Sequence, residues 1–151
     1  MVEISYSDLK KIFSRFKCST FKVEIYATDE RVSGHTKIIE SLNERLISGL
    51  KILTLHTPCH TMGHGIFVVK SDSGPNAVFV GDTLFHAGCG RFFEGDANHM
   101  VSSLELIKNN VDENDLMYFG HEYSGSNLRF AQYVDPDNQD IKSRYIKLIS
   151  I

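Results

Sequence analysis

Apolar and polar positions change rhythm several times along this chain, and each change predicts an element. Leu9, Ile12, Phe13 and Phe16 recur at helical spacing, which predicts a helix from Ser7 to Phe16. Phe21-Lys-Val-Glu-Ile-Tyr26 alternates strictly and predicts a strand with one buried side. Thr36 to Leu46 is polar with helical spacing and predicts a second helix. Leu50–Leu55, Gly65–Val69 and Ala77–Val80 are short apolar runs, as strands are, and Ser71-Asp-Ser-Gly-Pro-Asn76 has the composition of a turn between the last two. Met100, Val101, Leu104 and Ile107 fall on one helix face. Leu116–Phe119 reads as the last strand. Helical stretches follow at about 126–134 and 138–148, interrupted by Asp135-Pro-Asp137. There is no repeat, linker or low-complexity tract. The order predicts an α+β chain, a mixed sheet covered by helices, with residues 1–151 forming one domain.

Composition narrows the class of partner. A chain of 151 residues can bury roughly two thirds of its unfolded surface. A net charge of -3 argues against a nucleic-acid surface. No apolar run approaches the roughly 18 residues of a membrane helix, and Met1-Val-Glu-Ile-Ser lacks a secretory n-region, so the expected compartment is the cytoplasm. Cys18, Cys59 and Cys89 are odd in number and form no CxxC pair, which points to reduced thiols.

The chemistry concentrates where strands end. Thr57-Pro-Cys-His-Thr-Met-Gly-His64 follows one predicted strand, Gly81-Asp-Thr-Leu-Phe85 follows another, and Gly120-His-Glu-Tyr123 follows the last. His60, Asp82 and His121 would therefore stand on rigid strand ends facing an open rim, as a catalytic metal site requires. Cys59 beside His60 is not a nucleophile pair, because neighbours in extended chain point opposite ways. Cys89, between two glycines, is expected to pack tightly in a turn. His35, His86 and His99 are expected on solvent or helix surfaces.

These motifs resemble glyoxalase II, the hydroxyacylglutathione hydrolases of the metallo-β-lactamase superfamily. The resemblance runs from about Lys22 to about Arg144. It is carried by the Thr57–His64 and Gly120–Tyr123 runs above, by Phe79-Val-Gly-Asp-Thr-Leu-Phe85 and Ala87-Gly-Cys-Gly-Arg-Phe92, and by Asn127-Leu-Arg-Phe-Ala131. It implies the later portion of an αββα sandwich and a binuclear site of zinc, iron or manganese. In that site His60 binds one metal, His121 the other, and Asp82 bridges both as the catalytic carboxylate. His64 recurs in the family's Thr-x-Gly-His pattern, where it supports the site rather than ligating. The implied reaction is hydrolysis of a glutathione thioester, S-D-lactoylglutathione to D-lactate and glutathione. Arg91 stands where the family has a basic residue toward glutathione, and Tyr123 matches a tyrosine near the substrate. Phe93 replaces a common second tyrosine and loses its hydroxyl.

The resemblance also marks what this chain lacks. The family opens its site with His-x-His-x-Asp-His, and no such motif occurs here. Its ungapped register falls near Ile4-Ser-Tyr-Ser-Asp-Leu9, leaving Asp8, which also reads as a helix N-cap. Four of the family's seven metal ligands are thereby absent, and so is the C-terminal helical domain. The expectations are weak or incomplete metal binding, an impaired or inactive thioesterase, and self-association through an exposed sheet edge. The alternatives are a non-catalytic remnant or interaction domain of the same fold and, as a minor reading, a mononuclear iron enzyme acting on persulfides.

Overall fold

The computed structural model describes residues 24–150. The helix expected at Ser7–Phe16, Asp8, Cys18 and the first half of the strand expected at Phe21–Tyr26 lie outside them; in its described half only Tyr26 is strand, and Glu24 and Ile25 are not. Two short strands come first, β1 (Tyr26–Ala27) and β2 (Lys37–Ile38), paired in parallel. A five-stranded sheet follows in simple chain order, from β3 (Asn43–Ile47) through β4 (Leu50–His56), β5 (Gly65–Val69) and β6 (Ala77–Gly81) to β7 (Leu116–Phe119). The first four strands run antiparallel to their neighbours, and β7 is parallel to β6. A parallel neighbour needs a crossover, which is supplied by α1 (Ala97–Asn110). Helices α2 (Ser124–Val134) and α3 (Gln139–Ile149) close the described chain. The mixed sheet with helices is the α+β architecture expected.

One expectation fails. The segment read as a helix at Thr36–Leu46 holds β2 and the start of β3. The reason lies just beyond it, because Ser48 and Gly49 both take positive φ (50° and 86°) and close a two-residue hairpin in which Ile47 faces Leu50. Such a turn matches the right-handed twist of its strands and fixes their register. The hairpin ladder then overrides a weak helical pattern.

The core forms on one sheet face. Leu55, Ile66, Val68, Val78 and Val80 are buried and meet Ile107 of α1, with Leu53, Met117 and Phe119 around them. Full burial of each such side chain is worth about 1.5–3 kcal/mol. The expected α1 face needs correction. Met100 and Ile107 are buried, but Val101 and Leu104 are exposed, and Ser103 takes the third buried position. Its hydroxyl donates to the Pro58 carbonyl at 3.1 Å, binding α1 to the loop that carries His60. Asp96 caps α1 by accepting from the Asn98 and His99 amides at 2.9 and 3.0 Å, which satisfies N–H groups that have no partner within the helix. The opposite face bears Phe79 stacked on Tyr118, with ring centroids 5.1 Å apart, and Leu116; all three are exposed.

Candidate functional site

Three strand ends deliver the site. β4 runs into the loop of His60, β6 ends at Gly81 before Asp82, and β7 ends at Phe119 before Gly120 and His121. The sheet therefore gathers residues from distant parts of the chain at one rim. His60 Nε2 lies 3.2 Å from Asp82 Oδ2, and His121 Nε2 lies 3.3 Å from the same oxygen. Arg91, Phe93 and Tyr123 join these three in the lining of a cavity of about 300 Å³, with Phe85, Cys89 and Asn127. All six residues singled out from the sequence thus meet in one pocket.

Two glycines make room for Asp82. A Cβ on Gly120 would collide with Asp82 Oδ1, and one on Gly90 would collide with the Asp82 carbonyl. Gly90 donates its N–H to that carbonyl at 2.8 Å, and the Gly120 N–H donates to the Gly81 carbonyl at 2.9 Å. Gly81 takes φ +50°, at a break in the β6–β7 register. This positive φ is cheap only for glycine, and it turns the chain out of the strand just before Asp82.

The histidines divide by their hydrogen bonds. His60 Nδ1 lies 2.9 Å from the Arg91 carbonyl, which can only accept, so Nδ1 carries a proton and Nε2 faces Asp82. His64 lies behind. Its Nε2 accepts from the Asp82 amide at 3.2 Å, and its Nδ1 donates toward Thr83 Oγ1 at 2.9 Å and Thr57 Oγ1 at 3.2 Å. Burial, reinforced by the neighbouring His60, holds the His64 pKa below the ordinary histidine value. Both His64 nitrogens are thus engaged, one by the Asp82 amide and the other by the Thr83 and Thr57 hydroxyls. His56 is likewise engaged, with Nε2 2.8 Å from the Met62 carbonyl.

Around the rim, His60 lies 5.0 Å from the Phe93 ring, and His121 stacks on Tyr123 at 5.2 Å. The Arg91 guanidinium lies 5.9 Å from the Phe93 ring. Arg91 pairs with neither of the nearby acidic residues Glu94 and Asp96. Glu94 instead takes Arg31 at 2.8 and 2.9 Å, and Asp96 caps α1. Two further expectations are corrected, for Cys89 and His86, while His99 lies on the helix surface as expected. Cys89 is exposed rather than packed in a turn. His86 is half-buried against Phe119 at 4.8 Å and hydrogen-bonds Ser124 Oγ at 2.9 Å. His99 closes the α1 cap with Asp96 at 2.8 Å. Cys59 is buried and donates to the Asp96 carbonyl at 3.4 Å, away from His60 chemistry. Sequence reasoning missed Arg31 and Glu94, which no local motif marks.

The donor set supports a cation in kind but not in number. An imidazole nitrogen and a carboxylate oxygen facing each other call for a proton or a metal between them. A catalytic zinc takes three protein ligands, however, and an ion on either side of Asp82 would find one imidazole and one shared carboxylate. Among the described residues, no group of three or more His, Cys, Asp or Glu side chains is arranged to hold an ion.

Comparison with known proteins places this arrangement. The structure superposes on a metallo-β-lactamase from Staphylococcus aureus (TM-score 0.60, 20% identity, 95% of this chain and 48% of that one). It also superposes on ETHE1 from Myxococcus xanthus (TM-score 0.59, 24% identity, 74% of this chain and 48% of that one). The fold is thus that of the metallo-β-lactamases, represented in part. No family model matches the chain. Its sequence is 40% identical over 121 residues to a hydroxyacylglutathione hydrolase of Dictyostelium discoideum, and 44% over 118 residues to the cytoplasmic hydroxyacylglutathione hydrolase of Arabidopsis thaliana. These matches cover 78% and 76% of the chain. The chain is a homologue of the hydroxyacylglutathione hydrolases, the glyoxalase II family, and spans 45% of the length of these two relatives. Among the described residues, no helix is long and apolar enough to cross a membrane.

Proposed function

We propose that this chain carries the Asp82-centred part of a glyoxalase II thioester hydrolase site and does not sustain turnover by itself. The observation that supports this is the convergence of two imidazole Nε2 atoms on one Asp82 oxygen, at 3.2 and 3.3 Å, inside a pocket that also holds Arg91 and Tyr123. The substrate class is a glutathione thioester such as S-D-lactoylglutathione, as the names of the relatives suggest. The fold family implies a metal, with zinc, iron and manganese all compatible with imidazole and carboxylate donors.

Each residue has a role in this reading. Asp82, His60 and His121 are the metal donors, with Asp82 shared. The Arg91 guanidinium, which forms no ion pair among the described residues, attracts a glutathione carboxylate. Tyr123, stacked on His121, brings a phenol to the pocket lining, and Phe93 offers an apolar wall without a hydroxyl. Metal in such a site supplies hydroxide near neutral pH and polarises the carbonyl. With His60, Asp82 and His121 as the donors among the described residues, the chain retains metal weakly. Residues 1–151 form a single partial domain, cytoplasmic in setting, with no nucleic-acid or membrane partner.

The test is thioesterase turnover. Residues 1–151 alone are expected near background, because partial sites lose more than proportionally. A chimera with a His-x-His-x-Asp-His segment fused ahead of Met1 is expected to gain activity, and His60→Ala in the chimera to abolish the gain. Robust lactoylglutathione hydrolysis by the 151-residue chain, lost on Asp82→Ala, would show a competent enzyme with a reduced site. No gain in any chimera would favour a non-catalytic interaction domain.

A further inference from the structure

We propose that Arg31 and Glu94, which lie outside the Asp82 pocket, form a latch that sets the orientation and tautomer of His60. The His60 loop is fastened at three points to the segment Arg91–Gly95. The Gly95 N–H donates to the Cys59 carbonyl at 2.8 Å, the Met62 N–H donates to Glu94 Oε2 at 2.6 Å, and His60 Nδ1 donates to the Arg91 carbonyl at 2.9 Å. These fastenings bracket His60 on both sides. A Cβ on Gly95 would collide with the Cys59 backbone, so the two segments lie in direct contact.

Glu94 is itself held. Arg31 reaches it with a two-pronged contact, Nη1 to Oε1 at 2.8 Å and Nη2 to Oε2 at 2.9 Å. The planar guanidinium thereby fixes the plane of the carboxylate, which a lysine ammonium cannot do. Arg31 is anchored in turn, since its Nε donates to Asp29 Oδ2 at 2.7 Å and its N–H to Asp29 Oδ1 at 2.8 Å. Asp29 sits against Gly63, where a Cβ would collide with its side chain, and Thr28 Oγ1 donates to the Gly63 carbonyl at 2.6 Å. Residues 28–31, 59–63 and 91–95 are therefore joined to one another, and the Arg31 guanidinium is the link between the first segment and the third.

Exposure identifies the purpose. The Arg31 side chain is 59% accessible, and exposed ion pairs contribute little to global stability. The pair instead acts on direction. It keeps the Glu94 carboxylate on the Met62 N–H, and so keeps His60 facing the Arg91 carbonyl with Nε2 toward Asp82. The two are positioning residues. Their importance for catalysis rests on the hydrolase reading of His60, but their effect on the ring does not.

The experiment reads the ring directly, by two-bond ¹H–¹⁵N correlation of the histidines in the full 151-residue chain, at mildly alkaline pH. Wild-type His60 should show a single Nδ1–H tautomer. Glu94→Ala and Arg31→Ala should move it most of the way to the mixed pattern of free imidazole. Glu94→Gln keeps an acceptor for the Met62 N–H and should retain most of the wild-type pattern, and Arg31→Lys should not restore it. His64, held by Thr83 and Asp82, serves as the internal control and should stay unchanged throughout. An unchanged His60 in Glu94→Ala would overturn the proposal, and so would parallel loss of the His60 and His64 patterns, which would mean general loosening. A separate zinc titration tests the hydrolase reading. Wild type that shows the His60 tautomer but takes up no zinc would count against that reading and leave the latch standing.

Discussion

The Asp82 rim and the outer face of the sheet are built from the same strands, yet they are held in different ways. At the rim, β6 ends at Gly81 and β7 runs into Gly120, and the polar groups that follow are aimed by directional bonds with His64, Gly90 and the Arg91 carbonyl. On the outer face, two residues back along the same strands, Phe79 and Tyr118 stack on each other and stand about half exposed beside Leu116. The rim is specified by geometry that a displaced atom destroys. The face is apolar area, which any shape of partner could cover. Strands can thus be rigid enough to organise chemistry at one end while their flank contributes little to it.

The largest expected effect would break both regions together. Leu55 lies at the centre of the shared core, fully buried. Leu55→Ala should cost about 2–5 kcal/mol in denaturant unfolding, with rim and face lost in one transition. A rim that melted separately would show that the two are not one cooperative unit.

The next change separates them. Gly120→Ala drives a methyl into Asp82 Oδ1, and overpacking of this kind costs about 1–3 kcal/mol. Weak zinc uptake, followed by elemental analysis after dialysis, should be lost, while the Phe79–Tyr118 stack on the outer face stays intact by aromatic NMR. Zinc uptake equal to wild type would remove Asp82 from the metal-donor role.

A smaller effect is expected on the other side. Among the described residues β7 is an edge strand, and we expect it to drive weak self-association together with its exposed apolar neighbours. Leu116→Lys should lower association in sedimentation velocity while changing stability by no more than about 0.5 kcal/mol. A wild-type chain that stays monomeric at all accessible concentrations would dismiss this idea.

The smallest effect sharpens the account of the latch. Hydrogen bonding from Arg31, then from the Met62 amide, pulls the Glu94 pKa down to about 2. A depressed carboxylate contributes stability that is present above its ordinary value near 4.5 and is lost as pH falls toward about 2. The latch should therefore be insensitive to pH from neutrality down to about 4.5. Carboxyl ¹³C titration should place the Glu94 midpoint far below that of a free glutamate, and Arg31→Ala should bring it back up. A Glu94 midpoint at the ordinary value in wild type would show that Arg31 does not hold it in solution.

By itself the sequence determined the strands from Leu50 onward and the three strand ends that carry His60, Asp82 and His121. Those segments are short, apolar and bounded by Gly or Pro, so local pattern and tertiary outcome agree. It also determined the kinship, because motif residues keep their order and spacing whether or not the fold around them is known. Other features were decided only by tertiary structure. The Thr36–Leu46 segment became strand because pairing across the Ser48–Gly49 turn outweighed its own weak periodicity. Val101 and Leu104 lost their predicted burial to Ser103, whose hydroxyl found the Pro58 carbonyl. The tautomer of His60, the retreat of His64 behind Asp82 and the Arg31–Glu94 pair depend on atoms 31, 18 and 63 residues apart in the chain. Hydrogen bonds over such separations leave no local pattern, because direction and distance in space select the partner.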